Sequence, residues 1–497
     1  MNYPASPSPR GRGLRIALVC PRLPNHYGWV VRWEPLGLLI LATAARRAGH
    51  EVQLFDELSP SCFPPDRLIE AIDAFAPDLV GINCTAAIEL PRVLDHARAL
   101  KAVRPNVPVV LGGWHVSSDE SAMEDPAVDL VVRGEGERPF LGILDNISAG
   151  RPGFHGIDGV TWKEGDEVRR NPSSARLTDL DAAGPPARDL VAPGLYRWPG
   201  IADAPPRGQR FFTINATRGC PYGCSFCVCS TVIGKKWVHR PVDRVVDEIE
   251  ALNREYGANL IAFTDVELSL DRKYIAEFCD EMRSRGLEKR VQWTALLRVT
   301  DLTSELAHAM RRAGCCYIFF GLETGVGEGL RQLNKRATRS DIRKGVLYLA
   351  DADIQTLGST IIGFPWERSR DLDETLNFLL TLPLSMLGVN FLVPYKGTAV
   401  REVAEEDGLI FDYDIRNWHT KQPVMRTRYL SAEELMAYNE KIIRAYYRSP
   451  VFLKHWARFI TRRPTRTLSM AASVVTAAGE SAFWSRLRGA MSRSTAN

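Results

Sequence analysis

Three cysteines spaced C-x3-C-x2-C in RGCPYGCSFC (218–227) follow directly on the apolar run FFTINAT, and this arrangement restricts the fold more than any other part of the chain. Gly219 and Gly223 permit sharp turns and Pro221 opposes a regular helix, so the pattern predicts a short irregular loop at a strand end. Thiolates of Cys220, Cys224 and Cys227 on such a loop can face one iron cluster. A 4Fe-4S cluster ordinarily takes four protein ligands, so three leave one iron open to a substrate or cofactor. The alternative is a structural zinc site, which closes with four ligands. The only near fourth donor is Cys229, one residue beyond Cys227, and it is expected to be a neighbour rather than a ligand. Ten cysteines are an ordinary share of 497 residues, but this crowding points to metal or redox chemistry before disulfides.

Around the loop the chain alternates strand and helix patterns twice. After a leader (1–13) expected to be disordered, LRIALVC, EVQLF, DLVGINC, VPVVLGG and DLVVRG read as buried strands, with helical apolar spacing between them in GLLILATAARRAGH and LPRVLDHARALKAV. This predicts an α/β, doubly wound (Rossmann-like) parallel sheet over 14–150, with its ligand edge at the strand C-termini. Residues 151–209 lose that alternation, and the seven prolines between 170 and 206 mark a Pro-rich linker. Over 210–419 come six strand units, FFTINATRG, NLIAFTD, VQWTALLR, CYIFFGLE, IQTLGSTIIGF and LGVNFLVPY. They predict a partial (β/α)6 barrel with its site at the C-terminal mouth. Residues 420–497 read as a helical, basic region, in which Ser431 and Glu434 form a reciprocal capping box.

The cysteine loop, with Phe226 before its last Cys, resembles that of the radical S-adenosylmethionine (SAM) enzymes over roughly 210–400. The resemblance implies that SAM chelates the open iron and that one-electron reduction releases a 5′-deoxyadenosyl radical, with Phe226 beside the adenine. At the successive strand ends, Asp265 and Glu267 would then accept from the SAM ammonium and Arg298 would pair with its carboxylate. Glu323 would bind ribose hydroxyls or a polar SAM group, and Gly363 and Pro365 in IIGFP match a further family landmark. The first domain resembles the cobalamin-binding domain that precedes such barrels, on EPLGLLILATAARRAGHEVQLFD, LGGWH and DLVVRGEGE. Gly112, Gly113, Gly134 and Glu135 would line a flat macrocycle. The motif D-x-H-x-x-G is absent, so cobalamin is expected without histidine on cobalt; His26 and His115 are read as surface loop residues.

Together the resemblances imply a cobalamin-dependent radical SAM methyltransferase that methylates an unactivated carbon through the 5′-deoxyadenosyl radical and methylcobalamin, similar to hopanoid and bacteriochlorophyll methylases. A flavodoxin- or ferredoxin-type electron donor is implied; no catalytic side chain is assigned. The magnesium-protoporphyrin ester cyclases share the two-domain plan and are the enzymatic alternative. A non-catalytic cobalamin and iron-sulfur sensor is the alternative from another class, but would leave the barrel landmarks without a task. A methylthiotransferase or plain isomerase would not explain the first domain.

Charge narrows the partners. From Lys441 onward eleven Lys/Arg face the single acid Glu480, which leaves 52 basic against 58 acidic residues, or −6, before it. A body without positive excess argues against a large nucleic-acid surface, and no nucleic acid is expected as partner. In the tail, Tyr446, Tyr447, Phe452, Trp456 and Phe459 alternate with Arg444, Arg448, Lys454, Arg458, Arg462 and Arg463. That mixture suits either a helical cap or a lipid or tetrapyrrole substrate and a peripheral anionic membrane surface. No run of 18 apolar residues exists, the segment TLSMAASVVTAA is too short to span, and the start lacks a signal-type apolar run, so a cytoplasmic location is expected.

Overall fold

The computed structural model describes residues 13–22, 33–59, 65–192, 194–196, 198 and 208–462. His26, Arg463, nearly all of the leader and the segment 467–478 lie outside them.

Five strands, β1 (Arg15–Cys20), β2 (Glu51–Asp56), β3 (Leu79–Asn83), β4 (Val109–Gly112) and β5 (Leu130–Val132), pair in parallel in the order β2-β1-β3-β4-β5. Apart from the edge strand β2, whose Glu51 and Gln53 are exposed, they are apolar on both faces because both are covered. Helices Pro65–Phe75 and Leu90–Val103 press Leu68, Ile72, Val93 and Ala97 onto one side. Helices Leu36–Arg47 and Glu137–Ser148 press Leu38, Ala42, Phe140 and Ile143 onto the other. Strand order reverses between β1 and β3, the place where such sheets open a ligand crevice. The linker holds an element that the sequence pattern hides. β6 (Val160–Glu164) and β7 (Glu167–Arg170) form a hairpin that extends this sheet antiparallel from β5. All four residues of β7 are exposed, so EVRR carries no apolar stripe to betray a strand.

The second sheet is β8 (Phe211–Ile214), β11 (Leu260–Phe263), β12 (Gln292–Leu296), β13 (Cys315–Glu323), β14 (Gln355–Ile362) and β15 (Met386–Phe391), all parallel and in chain order across the sheet. A two-stranded ribbon, β9 (Thr217–Arg218) and β10 (Val238–His239), flanks the cysteine loop. Each crossover helix follows the same logic. Val242–Tyr256 buries Val242, Val245, Val246, Ile249 and Leu252 along one stripe, and Gly257 ends it at φ +67°, where a side chain would be strained. Trp293 on β12 is wholly buried edge-on to Phe263 and Phe278 and anchors this core; truncating so large an aromatic costs about 3–5 kcal/mol.

Behind the sheet, helix Ala432–Tyr447 begins with the expected box: Ser431 Oγ accepts from Glu434 N (3.2 Å) while Glu434 accepts from Ser431 N (2.8 Å). The tail aromatics face protein. The Tyr446 hydroxyl accepts from Leu384 N and donates to Leu382 O, Trp456 Nε1 donates to Ser385 O, and Phe459 is buried. These contacts lie at the N-terminal end of β15 and serve a helical cap, leaving Leu453, Ile460 and the cations at the surface. Among the described residues no helix is long and apolar enough to cross a membrane.

The linker stitches the two sheets together. Arg188 is buried and its guanidinium donates to Glu34 Oε2, to Glu248 Oε1 (2.8 Å) and to the carbonyl of Thr213 on β8 (2.8 Å). Glu34 also accepts from Thr213 N and Oγ1 (3.1 and 3.0 Å). Arg240 bridges the far oxygen of Glu248 to Asp181 (2.6 and 2.7 Å). The Tyr196 hydroxyl donates to Asp56 at the end of β2 (2.6 Å).

Candidate active site

The cysteine loop leaves β8 and is held at every turn by neighbouring segments. Asp265, just after β11, accepts from the amides of Ala216 (3.1 Å) and Thr217, which fixes the chain as it exits the sheet. Burial pushes the Asp265 carboxyl up to about 6 even against those amides. Gly219 sits at φ +93°, where a Cβ would lie 2.0 Å from Lys236 O, so no other residue fits. Cys220 N donates to Gly234 O (3.2 Å), Asn334 Nδ2 to Gly223 O (2.9 Å), Ser225 N to Leu333 O (3.1 Å) and Val400 N to Ser225 O (3.1 Å).

Cys220, Cys224 and Cys227 are half-buried, unlike the fully buried Cys84, Cys279, Cys315 and Cys316. Burial pushes the Cys220 thiol up to about 11, whereas a hydrogen bond with Cys229 draws Cys227 down to about 7. Among the described residues no three His, Cys, Asp or Glu side chains already stand as a ligand set. The thiols share one anchored loop, and a cluster would draw them together. Three thiolates with no competing carboxylate in the loop suit iron-sulfur ligation.

The other sequence-predicted residues divide into those with internal tasks and those that stay open. Asp265 is an anchor of the loop rather than an open acceptor. Glu267 is likewise buried, and its Oε1 accepts from Ser269 N and Oγ (2.9 and 2.7 Å). Strand ends leave amides unpaired, and both carboxylates answer that local need. The Arg298 guanidinium lies over the ring of Tyr222 in the loop, 3.7 Å from its centre, and donates to Lys335 O (2.7 Å). Its Nε is buried without a hydrogen-bond partner, 3.9 Å from Asp301, an N–H that suits an anionic ligand. Glu323 ends β13 at φ +63° beside a register shift and accepts from the buried Lys335 Nζ (2.6 Å). Phe226 packs edge-on to Phe364, which stacks on Trp366. Pro365 O accepts from Arg428 N.

Sequence reasoning passed over Glu367, although a carboxylate four residues after a turn glycine is the available signal. Its Oε2 accepts from Gly363 N and Phe364 N (2.7 and 3.0 Å), and burial pushes its pKa up to about 8. A raised carboxyl stabilises the fold fully below its ordinary value of 4.5 and loses that contribution as pH rises through 8. Wild-type stability relative to Glu367→Gln is therefore expected to fall from pH 5 to pH 8, with a limiting slope of about 1.4 kcal/mol per pH unit. Denaturant midpoints across that range check it; parallel curves would remove the shift.

The strand-end loops of the first sheet meet this mouth. Gly134 (φ +76°) donates to Ser117 Oγ (2.9 Å) and would place a Cβ 3.4 Å from Val232 O in the helix after the cysteine loop. Glu135 accepts from Leu177 N (2.7 Å) and faces Arg218 at 3.5 Å; Arg218 also donates to Glu137 (2.6 Å). Lys396, after β15, reaches Asp119 (2.9 Å). Gly113 turns at φ +124° with a Cβ position 2.5 Å from Cys84 O, and the Cβ position of Gly112 is open. His115, expected at the surface, is instead buried with Nε2 lacking a partner, and burial lowers its pKa. The short helix Trp114–Ser118 turns it inward. An open glycine and an orphaned buried imidazole nitrogen at a sheet's ligand edge fit a large group with polar edges.

Two family models match the chain, a B12 binding domain over residues 30–144 and the Radical SAM superfamily over residues 214–379. An uncharacterized methyltransferase of Pyrococcus horikoshii is 32% identical, covering 92% of this chain and 98% of that protein. The anaerobic magnesium-protoporphyrin IX monomethyl ester cyclase of Cereibacter sphaeroides is 29% identical, covering 85% of this chain and 68% of the cyclase. The solved structure of the radical S-adenosylmethionine methyltransferase TsrM from Kitasatospora setae, with cobalamin and a 4Fe-4S cluster bound, is similar in fold. Its TM-score is 0.64 at 22% identity, over 81% of this chain and 76% of TsrM.

Proposed function

Since the chain belongs to the cobalamin-dependent radical SAM methyltransferase family, we propose that it methylates an unactivated carbon of a hydrophobic small molecule. It is an enzyme of 4Fe-4S, SAM and cobalamin chemistry. The observation that carries the reading is the juxtaposition of the anchored three-cysteine loop with the strand-end loops of the B12 binding domain, joined through Arg218–Glu137 and Lys396–Asp119.

In this reading Cys220, Cys224 and Cys227 hold the cluster. Arg298 presents its unpartnered Nε to the SAM carboxylate, Glu323 receives a polar SAM group while Lys335 fixes its orientation, and Phe226 packs beside the adenine. The loop with Gly363 and Pro365 would border the same side, where Phe364 packs against Phe226. Gly112, Gly113, Gly134 and Glu135 would border the corrin. When bound, these groups supply reductive SAM cleavage, hydrogen abstraction from the substrate and methyl transfer. A flavodoxin- or ferredoxin-type protein supplies the electron. The exposed cations of the C-terminal helix, with Leu453 and Ile460, give a peripheral contact with anionic lipid.

The test is anaerobic reconstitution with SAM, cobalamin and a low-potential reductant, followed by mass spectrometry of host extracts. A product heavier by one CH2 together with 5′-deoxyadenosine is expected. Ring closure without added carbon would favour the cyclase reading that the Cereibacter sphaeroides relative suggests, and no 5′-deoxyadenosine at all would sink both. Flotation with anionic liposomes at low salt, lost at high salt, checks the membrane contact.

A further inference from the structure

We propose that Lys235, Lys236 and Arg336 form the landing surface for the electron carrier, an acidic, low-potential one-electron protein. The inference rests on the cluster reading of the cysteine loop and adds to it a place of entry for the electron.

The loop is gripped by three neighbouring segments, of which two carry exposed cations; the third, at Val400, opens helix Ala399–Glu406, whose exposed Glu402, Glu405 and Glu406 are acidic and would turn an acidic carrier away. On one side, Gly234 O accepts from Cys220 N, and the following Lys235 and Lys236 are exposed. On the other, Leu333 O accepts from Ser225 N and Asn334 Nδ2 donates to Gly223 O, and Arg336 is exposed at the end of that segment. Lys335 and Arg298 turn inward, to Glu323 and to the ring of Tyr222. The outward charge on these two segments is thus positive, and each is one backbone hydrogen bond from the loop, so the carrier is expected on their side and away from helix Ala399–Glu406.

The rest of the body opposes such a partner. Before Lys441 the chain has 52 basic and 58 acidic residues, so an acidic carrier is repelled on average and attracted only where cations gather. The basic C-terminal helix Pro450–Arg462 is the competing patch, but its His455 and Trp456 hydrogen-bond to Ser385, ahead of β15. That is the end of the sheet opposite the cysteine loop. A carrier bound there would be separated from the cluster by the length of the strands.

The step is a single electron transfer: the reduced carrier loses one electron, the oxidised cluster gains it, and no bond is made or broken. The test follows cluster reduction in the reconstituted enzyme by stopped-flow absorbance, with reduced plant-type 2Fe-2S ferredoxin and, separately, dithionite. For the double variant Lys235→Glu/Lys236→Glu, the second-order rate with ferredoxin at low salt is expected to fall at least ~10-fold, and to approach wild type at high salt. Arg336→Gln should fall less, and Arg458→Glu on the far helix should not change. Dithionite should reduce all of them at the wild-type rate, which shows the cluster intact. Ferredoxin rates unchanged by the double reversal, or lowered equally with dithionite, would overturn the landing surface while leaving the cluster reading in place. A reconstituted wild-type protein without cluster absorbance would overturn the function proposed above and this surface with it.

Discussion

Alanine at Cys220, Cys224 or Cys227 is expected to abolish both the charge-transfer absorbance of the reconstituted protein and its SAM cleavage, whereas Cys229→Ala is expected to keep both. A cluster with three protein ligands has no reserve: losing one leaves two thiolates, too few to retain about four irons in a half-exposed loop. Cys229 opens the short helix Cys229–Val232 beside the Cys227 thiol, and in the proposed reading it neighbours the ligand set without belonging to it. Iron and sulfide analysis beside the absorbance makes the comparison quantitative. Iron lost as completely from Cys229→Ala as from Cys224→Ala would reassign the ligands, and the open iron on which the SAM reading depends would go with them.

The second large effect concerns the join between the domains. Arg188 is buried with Glu34, Glu248 and the Thr213 carbonyl, and its charge is held by two carboxylates. Arg188→Ala leaves those carboxylates buried with a missing partner, and breaking such a pair costs about 3–5 kcal/mol. Arg188→Lys is not expected to restore it, because one ammonium cannot reach Glu34, Glu248 and a carbonyl in the planar fork arrangement. The measurement is urea unfolding, combined with proteolysis of the linker as a reporter of undocking. A loss below about 1 kcal/mol, the range of an exposed ion pair, would mean that water reaches this site.

The sequence carried most of the scaffold because the relevant patterns are local. LRIALVC and NLIAFTD hold the continuous apolar runs IALVC and LIAF, and Ser431 with Glu434 meets within one helical turn. The hairpin β6–β7 stayed hidden since only Val160, Thr161 and Trp162 are buried and the return strand is exposed throughout. At the site, residue type and strand-end position were readable, whereas the use of each group was not. Asp265 turns to the amides of Ala216 and Thr217 because β8 happens to be its neighbour in the sheet, a pairing that separation along the chain conceals. Lys335, Glu367 and Arg188 were passed over for the same reason: each acts through a partner whose position only the fold sets. The burial of His115 depends on the short helix after Gly113, and a five-residue helix leaves no periodic trace.

The linker's bonds alter what counts as an exchangeable piece of this enzyme. Asp56 and Glu34 belong by sequence to the first sheet, yet their partners Tyr196 and Arg188 come more than a hundred residues later. A recombination event, or a chimera built at residue 150, would inherit two carboxylates shaped for groups left on the other parent. A crossover placed after residue 198 would carry those partners along, but Arg188 must still find Glu248 and a β8 carbonyl in the recipient. Related enzymes should therefore trade C-terminal tails and barrel loops more readily than whole cobalamin modules, and successful module grafts should be those in which residues 181–198 travel with the donor and the recipient keeps a carboxylate at the position of Glu248.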